Sequence, residues 1–238
     1  MKSRKLFLLL ALFIPFAACS QIDFKGIKKA IQQPSGKNLS ESDIVSGLKE
    51  ALTVGSKNAA GSASKLNGFN GNSLIRIPFP PEVQEVEEKL RSLGMGKQVD
   101  EFVVTMNRAA EEAAKQAAPV FVDAVTHMTI SDGLTILKGN DTAATSYLKK
   151  STSGTLHEKF KPVIKDATQK VDVTKYWTPL ITTYNKIPFV TKKNPDLDEY
   201  ITQRALTGLF VLVGQEETKI RKDPAARVTD ILKKVFAR

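Results

Sequence analysis

From Leu39 onward, apolar residues recur every three or four positions almost to the C-terminus, a rhythm suited to helices that bury one face. Val83, Val86, Leu90 and Leu93 form one such stripe, opened by Pro80-Pro81-Glu82 and closed by Gly94. Proline suits a first helical turn, where its missing N–H has no intrahelical partner to lose, and glycine suits the position just past a helix end. Ser40 or Ser42 can cap an earlier helix that carries Ile44, Val45, Leu48, Ala51 and Leu52. A looser stretch rich in Gly, Ser and Asn is expected from Gly55 to Ser73.

The next helix is expected over about 97–118, with Val99, Phe102, Val103, Met106, Ala110, Ala113 and Ala117 facing inward and Pro119 kinking or interrupting it. The β-branched residues of Val120–Ile130 would suit a strand, but no partner strand of similar quality lies nearby, so a strand is rejected. Shorter helices are expected at about 131–138, 142–150, 154–170 and 174–185. Asn194-Pro195-Asp196 then supplies, in that order, a cap, a first-turn proline and an acid at the positive end of a long helix whose Leu206, Leu209, Phe210, Val211, Leu212 and Val213 are apolar nearly all round, the mark of a buried bundle centre. That run is about half the roughly twenty residues a membrane span needs. Asp223-Pro224 repeats the cap before a last amphipathic helix with Val228, Ile231, Leu232, Val235 and Phe236. The expected fold is all-α, a single multi-helix, bundle-like domain over residues 40–238.

The N-terminus has the order of an export signal. Lys2, Arg4 and Lys5 lead into an apolar run from Leu6 to Phe16, followed by the small residues Ala17 and Ala18. Phe16-Ala17-Ala18-Cys19 resembles a bacterial lipobox, although Leu is the usual residue where Phe16 stands. Residues 1–18 are therefore read as a lipoprotein signal peptide, Cys19 as the lipid attachment site and 19–39 as a tether. The competing reading is ordinary cleavage after Ser20, with Ala18 and Ser20 as the small residues, which would discard Cys19. Cys19 is the single cysteine, so under either reading the folded part owes nothing to disulfides. Ser20 after the cysteine favours outer-membrane sorting, facing the periplasm. Several acyl chains on one residue would hold the domain on a membrane whatever its surface charge.

Composition limits the function classes. The chain is 42% hydrophobic and 25% charged, which argues against wholesale disorder. Its net charge is +10, but Lys2, Arg4 and Lys5 supply three of those charges and the rest are scattered. Nucleic-acid binding needs a concentrated basic footprint, so it is not expected. His127 and His157 are the two histidines, and neither sits in a zinc-protease or di-iron spacing. Asp123 and His127 stand one helical turn apart, which reads as a local contact before it reads as a catalytic dyad. Ser-x-x-Lys occurs three times (Ser46–Lys49, Ser62–Lys65, Ser146–Lys149), as expected by chance in a Ser- and Lys-rich chain. Gly94-Met95-Gly96-Lys97 lacks the first glycine and the Ser/Thr of a phosphate loop, because Gln98 stands in that place. No cofactor or metal motif emerges.

One segment suggests a ligand groove. Tyr176, Trp177, Tyr184 and Phe189 lie beside Lys186, Lys192 and Lys193, and aromatics with a basic fringe can line a site for an apolar, anionic ligand. Core packing is the plainer reading of the same residues. The phrases Arg76-Ile77-Pro78-Phe79 and Lys186-Ile187-Pro188-Phe189 echo each other, which reads as chance or shared turn chemistry before it reads as an internal duplication.

Five phrases in order, LSESDIVSGLKEAL, IPFPPEVQEVEEKLRSLGMGKQVDEFVVTMNRAAEEAAK, ISDGLTILKGNDTAAT, NPDLDEYITQRALTGLF and IRKDPAARVTDILKKVF, resemble the bacterial domain of unknown function 4197 over about 39–236. The resemblance implies an exported helical protein and carries no activity, substrate or catalytic residue. The expectation is a non-enzymatic cell-envelope lipoprotein that binds a protein partner or an apolar ligand. The alternative is an envelope hydrolase, or another enzyme, whose site converges only in the fold.

Overall fold

The computed structural model describes residues 40–92, 94–170 and 196–223, together with 177, 182, 185, 186, 188, 189, 191 and 192. The leader, Cys19, the tether, Tyr176, Tyr184, most of the helix expected at 174–185 and the helix expected after Asp223 lie outside these residues. Helix α1 (Glu41–Ala63) begins at Ser40, whose hydroxyl accepts the Asp43 N–H at 3.1 Å while the Asp43 carboxylate accepts the Ser40 N–H at 3.2 Å. This reciprocal cap satisfies two backbone donors that the first turn leaves open. The helix then continues through Gly55–Ala63, where the sequence suggests a looser stretch. Burial is the reason. Gly55, Ser56, Ala59, Ala60 and Ala63 are all buried, and a Cβ at Gly55 would meet Ile220 Cδ1 at 3.3 Å. Small side chains let another helix approach, and packing outweighs weak local propensity.

After α1 the chain crosses the bundle as a strap without regular structure. Ile75, Ile77 and Phe79 turn into the core, while Arg76 and Pro78 between them are exposed. Buried backbone needs hydrogen-bond partners, and no strand exists among the described residues to provide them. Side chains of α3 (Gly96–Ala114) do so instead. The fully buried Asn107 accepts the Ile77 N–H at 2.8 Å and donates to the Ile77 carbonyl at 2.8 Å. One turn on, Glu111 accepts the N–H groups of Phe69 and Asn70, each at 3.1 Å, and pairs with Arg108.

The strap passes into a short 3-10 turn (Pro81–Val83) and α2 (Gln84–Ser92). Gly94, at φ 81°, closes α2 as its spacing predicts, with its N–H on the Arg91 carbonyl and the Met95 N–H on that of Leu90, both at 3.0 Å. α4 (Ala117–Thr126) follows α3 after a break at Lys115 and Gln116, which puts Pro119 in the first turn of α4, where it costs no hydrogen bond. Val120–Thr126 is helical, so the rejected strand is absent. Thr129 and Asp132 form a second capping box at the start of α5 (Ile130–Lys138).

α6 (Ala143–Lys170) is one helix where the sequence reads as two. The hydroxyls of Ser151, Thr152 and Ser153 each donate at 2.6 Å to the carbonyl four residues back, so this polar stretch stays inside the helical ladder. Its buried residues, Ala144, Leu148, Thr152, Leu156, Phe160, Ile164 and Thr168, step by four. A strict step of four drifts about 40° per step around a helix of 3.6 residues per turn. The buried stripe therefore winds, and α6 packs against α3, α4, α5 and α7. α7 (Leu197–Lys222) starts later than the sequence suggests: the cap is Asp196, not Asn194, because its carboxylate accepts the Glu199 N–H at 2.9 Å. It packs against α1, α3 and α6, with Phe210 edge-on to Phe121 at 5.9 Å between ring centroids. Val211, expected in an all-buried face, is 40% exposed, so one side of α7 meets solvent.

The fold is all-α. Among the described residues no single helix is long and apolar enough to cross a membrane. The two echoing phrases have opposite fates, since Ile77 and Phe79 are core residues whereas Phe189 is fully exposed. Their likeness does not extend to their places in the fold.

Candidate binding cleft

The strap, α2, α3 and α7 enclose a cleft of about 560 Å³. Its wall is set from below. Asn107 holds Ile77, the next residue Pro78 accepts a hydrogen bond from the Tyr200 hydroxyl at 3.1 Å, and Phe79 turns inward. Behind the cleft, Phe79 packs against Phe102 and Trp177, whose rings are stacked with centroids 5.5 Å apart and 14° between planes. Burial raises the Tyr200 phenol above its ordinary value, so it remains a hydrogen-bond donor near neutral pH.

Three arginines line this space, and they differ in commitment. Arg91 binds Glu87 and Asp100, each at 2.8 Å, and these carboxylates, Asp100 foremost, raise its pKa further. Arg76 donates from Nε to Asn70 Oδ1 at 3.4 Å, which leaves its terminal nitrogens unengaged among the described residues. Arg204, on the exposed side of α7, has no hydrogen-bond or ion-pair partner among them. Arginine presents a planar fork that fits carboxylate or phosphate oxygens two at a time. Glu82 also lines the cleft, with no ion pair among the described residues, so the cleft is not uniformly positive.

The sequence-expected groove residues part company here. Trp177 is buried in the aromatic cluster, whereas Phe189 is fully exposed, with φ 66° and the exposed Lys186 and Lys192 nearby in sequence. Tyr176 and Tyr184 lie outside the described residues. Arg76, Tyr200 and Arg204 were not legible as a group. Tyr200 and Pro78 are 122 positions apart, and nothing in spacing joins them.

Both histidines have carboxylate partners, in different places. His127 and Asp123 border a depression of about 480 Å³ with Tyr147, Ser151 and Lys159. The His127 Nδ1 lies 3.4 Å from the Asp123 carboxylate and 2.9 Å from its backbone oxygen, and both side chains are about three-quarters exposed. The Ser151 hydroxyl donates to the Tyr147 carbonyl, which makes no nucleophile–base line with His127. His157 Nε2 lies 2.9 Å from Glu199, which also accepts from Lys161 at 2.7 Å and Gln203 at 2.9 Å. These donors, Lys161 first, then His157 and Gln203, pull the Glu199 pKa down from 4.5 to about 2. A carboxylate that acidic is a poor general base near neutral pH, and it serves as a seam between α6 and α7. Among the described residues no three His, Cys, Asp or Glu side chains gather as a metal site.

Comparison with curated proteins and with solved structures gives no match. The family described as protein of unknown function (DUF4197) matches residues 38–237, nearly the whole chain, and this helical protein with its arginine-lined cleft belongs to that family.

Proposed function

We propose that this protein is a lipid-anchored module of the bacterial cell envelope that holds a partner protein by an acidic segment laid in the cleft between the strap and α7. The observation that carries this reading is Arg204, a guanidinium with no hydrogen-bond or ion-pair partner among the described residues, in a concave site backed by Phe79 and Tyr200. Partly shielded from water, an arginine–carboxylate pair gains strength and directs the register of the bound chain. Glu82 offers the same segment a place for a cation. The anchor rests on Phe16-Ala17-Ala18-Cys19, and the outer-membrane placement on Ser20.

The apolar-ligand form of this reading has less support, because the cleft carries charges of both signs. The hydrolase reading also has less support. His127 and Asp123 stand in solvent, and His157 faces a carboxylate saturated by donors.

A photo-crosslinking amino acid at Gln84, on the cleft, tests the proposal in cells. A discrete adduct is expected in the otherwise native protein and its loss in Arg204→Glu. An adduct of unchanged yield in Arg204→Glu would overturn the assignment.

A further inference from the structure

A second basic site lies toward the C-terminal end of α7. Glu216–Ile220 stand about 24 Å along the helix from Tyr200–Arg204, at 1.5 Å per residue. Here α1 and α7 border a trench of about 500 Å³. Lys57 and Gly61 stand one turn apart on α1, Lys65 follows just past its end, and nothing lies within 4 Å of where a Gly61 Cβ would stand. The trench is open at its middle, with a lysine on either side.

The charges in this trench do not cancel. Among the described residues Glu216 is the one carboxylate lining it, and it is already bound by Lys219 and by the Asn58 amide at 3.2 Å. Lys57 and Lys65 are exposed and have no hydrogen-bond or ion-pair partner among the described residues. On its other side Lys57 borders a shallow depression that also holds Asp123, without an ion pair within 4.0 Å. Directly after Lys65, just beyond the end of α1, Leu66 is 77% exposed, and Leu74 in the same loop is 67% exposed.

We propose that this trench, with Leu66 beside it, docks the domain on a bilayer containing anionic phospholipid. Lys57 and Lys65 take the headgroup phosphate, and Leu66 enters the apolar edge of the bilayer. Lysines flanking an exposed apolar residue are what interfacial binding uses, the cations drawn to anionic lipid and the apolar group removed from water. A soluble phosphate would engage the lysines but would leave Leu66 without a role. The inference stands independently of the partner cleft and of the lipid on Cys19.

The test reads position 66 itself. Leu66→Trp, at an exposed site, is introduced into the full-length chain, and emission is compared with the unsubstituted chain, whose Trp177 is buried. The vesicles contain brominated phosphatidylcholine with or without phosphatidylglycerol. Quenching of the added tryptophan is expected with phosphatidylglycerol and not without it. Adding Lys57→Ala and Lys65→Ala should weaken the contact roughly thirtyfold, about fivefold for each lysine. Circular dichroism matching the parent chain will show that these surface changes leave the fold intact. Absence of quenching on anionic vesicles overturns the proposal. So does quenching indifferent to the two lysines, or quenching abolished by inorganic phosphate at the ionic strength where sodium chloride has no effect.

Discussion

Asn107 and Ile77 form a two-way backbone-like pair, in which one buried side-chain amide satisfies both the N–H and the carbonyl of a residue in the strap at 2.8 Å each. Asn107→Ala leaves both Ile77 groups buried and unpaired. The expected loss is about 2–4 kcal/mol of unfolding free energy, measured by urea denaturation. Because the strap carries Pro78 and Phe79, the same variant should also lower the yield of the cleft adduct.

Glu217 extends this principle to a helix end. It is buried on α7 and accepts the N–H groups of Ala144 and Thr145 at the start of α6, at 3.0 and 2.8 Å, while Arg221 pairs with it at 2.9 Å. Glu217→Ala removes the cap at the start of α6 together with the Glu217–Arg221 contact. A loss of about 3 kcal/mol is expected from calorimetry or denaturant unfolding. Glu217→Gln retains an acceptor and should lose less.

Glu199 makes stability depend on acid. Its pKa falls from 4.5 to about 2 in the folded protein, so the unfolded chain binds the proton more readily. The stabilisation is present above about pH 4.5 and is lost as pH falls toward 2. Glu199→Gln should therefore flatten the decline in urea midpoint between about pH 5 and pH 3. A decline as steep as the parent's would show that Glu199 does not govern it.

At Gly208, α7 lies tight against Phe69 and Ile75. A Cβ there would lie 2.8 Å from Phe69 Cε1 and 3.0 Å from Ile75 Cβ. Alanine gains about 1 kcal/mol in helix propensity where space allows. Gly208→Ala is nonetheless expected to lower the melting temperature, since overpacking a tight core costs about 1–3 kcal/mol.

Cys19→Ser should abolish incorporation of labelled fatty acid in cells. Label that persists in the variant would place the modification elsewhere.

Much of the fold was legible because its signals are local. Ser40 and Gly94 act within one turn of themselves, and each begins or ends a helix as its residue type dictates, whereas at α7 two candidate caps two residues apart left the start open until Asp196 proved to be the cap. The departures occur where local signals were weak and burial decided. The Gly55–Ala63 stretch is helical because its small residues let another helix close in. α6 runs unbroken through Ser151–Ser153 because their hydroxyls return to the backbone.

The cleft was not legible at all. Arg76, Tyr200 and Arg204 are unremarkable on their own, and their association depends on Asn107 holding the strap against α3. The helical character of the chain, the starts of several helices and its family were readable from residue order, since caps and periodicity act over a few residues, whereas the continuation of α1 past Gly55 and the helix at Ala117–Thr126 were not. Which charges lack partners among the described residues and face a common space emerged with the folded packing, because that depends on contacts between residues more than a hundred positions apart.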